Sequence, residues 1–166
     1  PLRRVVRGGY QQLFACRAVT NPYAAMAAFD PTLQPGTVWR SRMIKVPGEI
    51  QGHIVEGEPN AVTTLIDVTP LTPTEQSELE AVHGPQPPLA HYVLSPETGR
   101  THQLRLHMWE AGVPILGDNI YPRVHTEEEE DHSCPLHLVS TGLSFTDPLS
   151  GEERTFQAPR RLLPFR

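Results

Sequence analysis

Residues 95–121, SPETGRTHQLRLHMWEAGVPILGDNIY, constrain this chain more than any other stretch. The run opens on turn formers (Pro96, Thr98, Gly99) and then places Arg100, His102, Gln103, Arg105 and His107 within eight residues. Leu104, Met108 and Ala111 recur at helical spacing and are expected to face a core, while His102, Arg105 and Trp109 share another face of the same helix. Thr101 is the expected N-cap, because a Ser or Thr hydroxyl satisfies free backbone donors at a helix start. Gly112 is the expected stop, just past the last periodic residue. Helix geometry then sets Arg105 one turn inside, with Arg100 and His102 at the positive end, where unpaired N–H groups and the dipole favour anions such as phosphate.

Read as chemistry alone, that pattern also describes a surface helix with solvated arginines. The order of the residues supplies more. Gly99, Arg100, Thr101, His102, Gln103, Leu104, Arg105, Leu106 and His107, followed by Gly112, Pro114, Ile115, Gly117, Asp118 and Tyr121, resemble the signature of the RluA-type RNA pseudouridine synthases. The resemblance extends loosely over most of the chain. Ala61 and Thr63 match a strand opening Ala-x-Thr, and Leu136-His137 a strand start. Phe156, Ala158 and Pro159 match the family's closing Phe-x-Ala-Pro. It implies an α/β (α+β) fold: a twisted, mostly antiparallel mixed sheet with flanking helices and a central cleft.

The net charge of -5 argues against an RNA partner until its source is located. Residues 127–131 are five acids in a row; set aside, they leave as many basic as acidic residues, and all the basic residues but Lys45 are arginine. Arginine's planar fork suits phosphate and base recognition better than an ammonium does. With 166 residues, 38% of them hydrophobic, the chain suits one domain with a real core. No apolar run approaches the roughly 18 residues of a spanning helix. Cys16 and Cys134 lie far apart without a CxxC pattern, so a reduced pair in the cytoplasm is expected.

In chain order, residues 3–15 read as an amphipathic helix with Val6, Tyr10, Leu13 and Phe14 on one side. Residues 16–29 are strand or helix by pattern alone. The resemblance favours strand, puts Tyr23 at the family's active-site tyrosine, and finds Asn21 where the family has lysine. Residues 30–59, rich in Pro and Gly, predict two short strands or a hairpin at a sheet edge. Arg40, Arg42 and Lys45 are expected on one solvated face there, and His53 without a nearby partner. Residues 60–69 are β-branched and predict a core strand; residues 75–82 predict about one helical turn. Tyr92–Leu94 and residues 138–145 are each expected as a strand, and residues 147–152 as a turn into a last strand. His125, His132, Cys134 and His137 invite a metal, but their spacing fits no zinc pattern.

The resemblance also implies a chemistry. Family members isomerise uridine to pseudouridine with one aspartate and no cofactor or metal, on a base withdrawn from its stack. Tyr23 would pack against that base, and Arg105 would pair with the nucleophile. Arg100, His102 and Gln103 would support the site or touch RNA. The partner is thus ribosomal or transfer RNA, with no membrane. The family's nucleophile precedes the tyrosine by some thirty residues, so residues 1–166 are expected to be a single, N-terminally incomplete catalytic domain, inactive alone. The alternative is a non-catalytic RNA-binding module on the same fold. Asp118 is expected to be a structural hydrogen-bond acceptor.

Overall fold

The computed structural model describes residues 4–15, 18–126, 129 and 134–158. Cys16, His132 and Pro159 lie outside the described residues, as do the side chains of Val6 and Phe14. The element order is α1 (Arg4–Ala15), β1 (Val19–Thr20), β2 (Tyr23–Ala28), β3 (Val38–Lys45), β4 (Gly52–Val55), β5 (Ala61–Pro70), α2 (Pro73–His83), β6 (Leu89–Pro96), α3 (Gln103–Glu110), β7 (Leu138–Ser140), β8 (Gly142–Thr146) and β9 (Glu153–Gln157).

Two sheets carry the described residues. Six strands follow the order β4-β3-β5-β6-β2-β7, and three follow β1-β8-β9. Neighbouring strands pair antiparallel throughout. Strand periodicity splits the large sheet into two faces. Trp39, Leu65, Tyr92, Leu94, Ala25 and Ala27 point to one side and pack against Leu104 and Met108 of α3. Met26 and Leu89 point to the other, against Leu79 of α2. A Leu or Met side chain buried this fully contributes roughly 1.5–3 kcal/mol, so α3 is fixed mainly by what it packs on.

Several expectations need correction. Residues 138–145 are not one strand: β7 and β8 part at Thr141 and join different sheets. The cause lies across the pairing at Pro22, which has no N–H to give a ladder. It separates β1 from β2, and its carbonyl accepts from the Thr141 N–H (2.9 Å) and hydroxyl (3.1 Å). The single turn expected at residues 75–82 is an 11-residue helix. Its start is a capping box: the Glu75 N–H donates to Thr72 Oγ1 (3.3 Å), and the Thr72 N–H donates to Glu75 Oε2 (2.8 Å). On β3, Arg40 and Arg42 share the solvent face, but Lys45 has opposite parity, and its ammonium donates to the carbonyls of Glu49, Ile50 and Gln51. His53 does have a partner, the Glu49 carboxylate.

Candidate functional site

Strand β6 delivers the chain into the turn at residues 97–102, and the turn is closed from inside. The Glu97 N–H donates to Val62 O (3.0 Å), and the Val62 N–H donates to Thr98 Oγ1 (2.8 Å). The expected Thr101 cap does not form. The residue before α3 is His102, in the left-handed region at φ 54°, with no side-chain cap. A non-glycine residue held there costs on the order of 1–3 kcal/mol, and such strain persists only where the surroundings impose it. The imposing residue is Gln103. Its Oε1 accepts from Thr98 Oγ1 (2.7 Å) and the Arg100 N–H (3.1 Å), and its Nε2 donates to Val62 O and Thr63 Oγ1 (both 2.9 Å). The buried amide has every donor and one doubly used acceptor committed. Gln103 therefore supports the turn and has nothing left with which to hold RNA.

One turn on, His107 is clamped between Ser41 Oγ at Nε2 and Thr63 Oγ1 at Nδ1, each 2.9 Å away. Burial depresses its pKa to about 4, so the ring is neutral.

Arg105 does not wait for an outside carboxylate. Its Nε donates to Asp118 Oδ2 (2.8 Å) and its Nη2 to Asp118 Oδ1 (2.5 Å), with the two side chains 11% and 2% exposed. Asp118 Oδ1 also accepts the N–H groups of Ile120 and Tyr121 (both 2.9 Å), the structural role expected of it. Gly117 sets this turn. At φ 75° its backbone passes so close to Pro135 that a Cβ would lie 2.3 Å from the Pro135 carbonyl oxygen.

Sequence reasoning placed His102, Arg105 and Trp109 on one face but missed what covers it, which is Tyr121. Trp109 stacks on the Tyr121 ring (5.8 Å), Arg105 lies over it (5.5 Å to the centroid), and His102 meets it edge-on (5.8 Å). The Tyr121 Oη accepts the Gly52 N–H (2.7 Å) and lies 3.2 Å from His102 Nδ1. Burial raises the phenol pKa.

Tyr23, at the start of β2, comes to the same place from the sheet. A cleft of about 250 Å³ is lined by Tyr23, Arg100, His102, Gln103 and Arg105, with Leu104 and Leu138 as an apolar floor. A second hollow shares Tyr23, Pro96, Thr98 and Gly99 with it and extends towards Val19 and Asn21. Asn21 Nδ2 donates to the Tyr23 hydroxyl (3.0 Å), and Asn21 Oδ1 accepts from Ser140 Oγ (2.6 Å). Asn21 thus orients the tyrosine. All five site residues expected from the sequence meet at one cleft. Arg100 is the exposed member, anchored by its Nε to Asn60 O (3.0 Å). His125, Cys134 and His137 form no metal-holding group among the described residues.

This arrangement of sheet, α3 and cleft is the pseudouridine synthase fold. The human RNA pseudouridylate synthase domain containing 1 protein superposes on 98% of the chain, and 63% of its own, with a TM-score of 0.71 at 23% identity. The corresponding domain containing 4 protein superposes on 98% and 64%, with a TM-score of 0.64 at 22% identity. No protein-family model matches. In sequence, the chain is 42% identical over 84 residues to the dual-specificity RNA pseudouridine synthase RluA of Escherichia coli K12, 51% of this chain and 37% of that one. It is 45% identical over 80 residues to the ribosomal large subunit pseudouridine synthase D of Neisseria meningitidis, 43% of this chain and 21% of that one. The chain is thus related to the RluA-type pseudouridine synthases over about half its length, and it spans well under half of these relatives.

Proposed function

We propose that this chain forms the uridine-receiving part of an RNA pseudouridine synthase, acting on ribosomal or transfer RNA in the cytoplasm without a cofactor. The observation that carries the reading is the convergence of Tyr23, Arg100, His102 and Arg105 on one cleft within this fold. The relatives' names support the reaction, and those names include both a dual-specificity and a large-subunit enzyme.

In the reaction the uracil N1–C1′ bond breaks, a C5–C1′ bond forms, the C5 proton leaves and N1 gains one. The flipped ring would lie between Tyr23 and the floor of Leu104 and Leu138, with the Tyr23 hydroxyl, held by Asn21, near the proton at C5. Arg105 would hold an attacking carboxylate ionised at the cleft. Among the described residues lining the cleft none is a carboxylate, and the adjoining hollow holds one, Glu97. Asp118 already accepts four hydrogen bonds and stays in place as the partner that aims Arg105. The reading therefore takes its nucleophile from a carboxylate outside the described lining of the cleft.

The test is to mix residues 1–166 with a single-stranded RNA containing uridine. The expected result is binding, weakened about 5- to 10-fold by Tyr23→Ala as a stacking platform would be, and no pseudouridine by mass spectrometry after carbodiimide labelling. Loss of all RNA binding would remove the reading, and conversion by residues 1–166 alone would remove its external carboxylate. The occupied Arg105 also favours a second reading, an RNA-binding module without catalysis. A longer form of the protein that binds the same RNA yet never converts it would establish that one.

A further inference from the structure

Resting on the uridine-binding reading, the polar groups at the cleft divide into those committed within the fold and those open to a ligand, and Arg100, bonded through its Nε alone, is among the open ones. The Gln103 amide is fully used. The Thr98 hydroxyl accepts from Val62 N and donates to Gln103 Oε1. Arg105 turns two of its nitrogens to Asp118. The Tyr23 hydroxyl accepts from Asn21, which leaves its own proton free and the oxygen aimed at the position assigned to C5. His102 uses Nδ1 towards Tyr121, while its Nε2 makes no hydrogen bond among the described residues.

The Tyr121 Oη favours one of the two placements of the imidazole proton. It accepts the Gly52 N–H at 2.7 Å, and its own proton can go to His102 Nδ1 at 3.2 Å or to Gly52 O at 3.4 Å. The shorter path ends on an unprotonated imidazole nitrogen, a good acceptor, and the longer lies at the limit of a hydrogen bond. We infer that His102 is held as its Nε2–H tautomer and offers that donor to the C4 carbonyl of a uracil ring in the cleft, making it the residue that distinguishes uridine from cytidine.

The chemistry follows from the bases. Uracil carries a carbonyl at C4 where cytosine carries an amino group, so a fixed donor is matched by one and opposed by the other. A guanidinium at C4 would make the same distinction, but Arg100 is tied through Nε to Asn60 O and Arg105 turns Nε and Nη2 to Asp118. A cationic imidazole would lose the tautomer along with the bond from Tyr121. Burial and the charge of Arg105 lower the His102 pKa and keep it neutral.

Two measurements on residues 1–166 test the inference. Long-range ¹H–¹⁵N correlation at neutral pH should show a protonated Nε2 and an unprotonated Nδ1 on His102. Fluorescence anisotropy with a short single-stranded RNA, carrying one uridine or one cytidine in an adenosine background, should show roughly 10-fold tighter binding of uridine, within the range of one good base contact. His102→Gly should cut that preference to below twofold. Glycine relaxes a φ of 54°, so this variant keeps its fold. A protonated Nδ1 would overturn the inference, as would a preference that survives in His102→Gly. A wild-type chain without uridine binding would overturn it together with the reading it rests on.

Discussion

The helices α2 and α3 begin in opposite ways. α2 starts by local rules: Thr72 caps it, Pro73 follows, Glu75 closes the box, and one residue, Leu79, is buried. α3 starts against those rules, from a left-handed His102 without a side-chain cap, yet buries Gln103, Leu104, Leu106, His107 and Met108 of its eight residues. What local structure withholds from α3, tertiary contact provides: Gln103 and His107 reach β5 and β3, and Arg105 reaches the turn at Asp118. The lesson is where strain is carried. The helix that is only scaffold is consistent at every level, and the helix at the cleft depends on distant partners.

The sharpest way to break this contrast is Asp118→Asn, which keeps the shape and an acceptor for the Ile120 and Tyr121 N–H groups. It strands the Arg105 guanidinium in a buried place. Removing one partner of a buried ion pair costs about 3–5 kcal/mol, so urea unfolding should show a loss of that order. Adding Arg105→Met to the same chain should restore part of the stability. A loss below about 1 kcal/mol would mean that water reaches the pair and that α3 does not depend on it.

A second test uses pH. The folded-state pKa of His107, about 4, lies below its ordinary value of 6.5. Between those values the unfolded chain binds a proton that the folded chain refuses. The contribution is whole above pH 6.5 and is lost as pH falls towards 4. By linkage the loss approaches roughly 3 kcal/mol. Stability measured from pH 7 to 4 should fall accordingly, and His107→Gln should flatten most of the slope. A slope unchanged in that variant would assign the effect to His91, His102 and His137, whose pKa values are also lowered, chiefly by burial.

How much of this could be read in advance follows the same division. The apolar stripe of Leu104, Met108 and Ala111 and the stop at Gly112 were legible, because periodicity and glycine act locally. Tyr23 reached the cleft as expected, but only a family resemblance singled it out; alone it is one aromatic in an apolar strand. The Arg105–Asp118 pair, Tyr121 as the cover of the α3 face, and the break at Thr141 depend on contacts between distant segments, which no spacing encodes. The false N-cap at Thr101 is instructive, since the local rule was sound and Gln103 overrode it. α2 erred the other way: its capping box stood in the sequence, and the surrounding prolines masked it.

The smallest expected effect tests whether α2 is as local as it looks. Thr72→Ala removes the hydroxyl that accepts the Glu75 N–H and leaves Glu75 with only the Thr72 backbone donor. Loss of an N-cap of this kind costs typically about 1 kcal/mol. Because α2 packs on the face of the sheet opposite the cleft, through Leu79 on Met26 and Leu89, the cost should appear in the unfolding free energy and not in RNA affinity. Measured together, the two numbers separate the helices: Asp118→Asn should disturb both, and Thr72→Ala the first alone. If Thr72→Ala also weakened RNA binding, the sheet would be passing strain from α2 to the cleft, and the division between scaffold and site would have to be redrawn at Met26, whose backbone carbonyl accepts the Leu116 N–H at 2.8 Å just ahead of the Gly117–Asp118 turn.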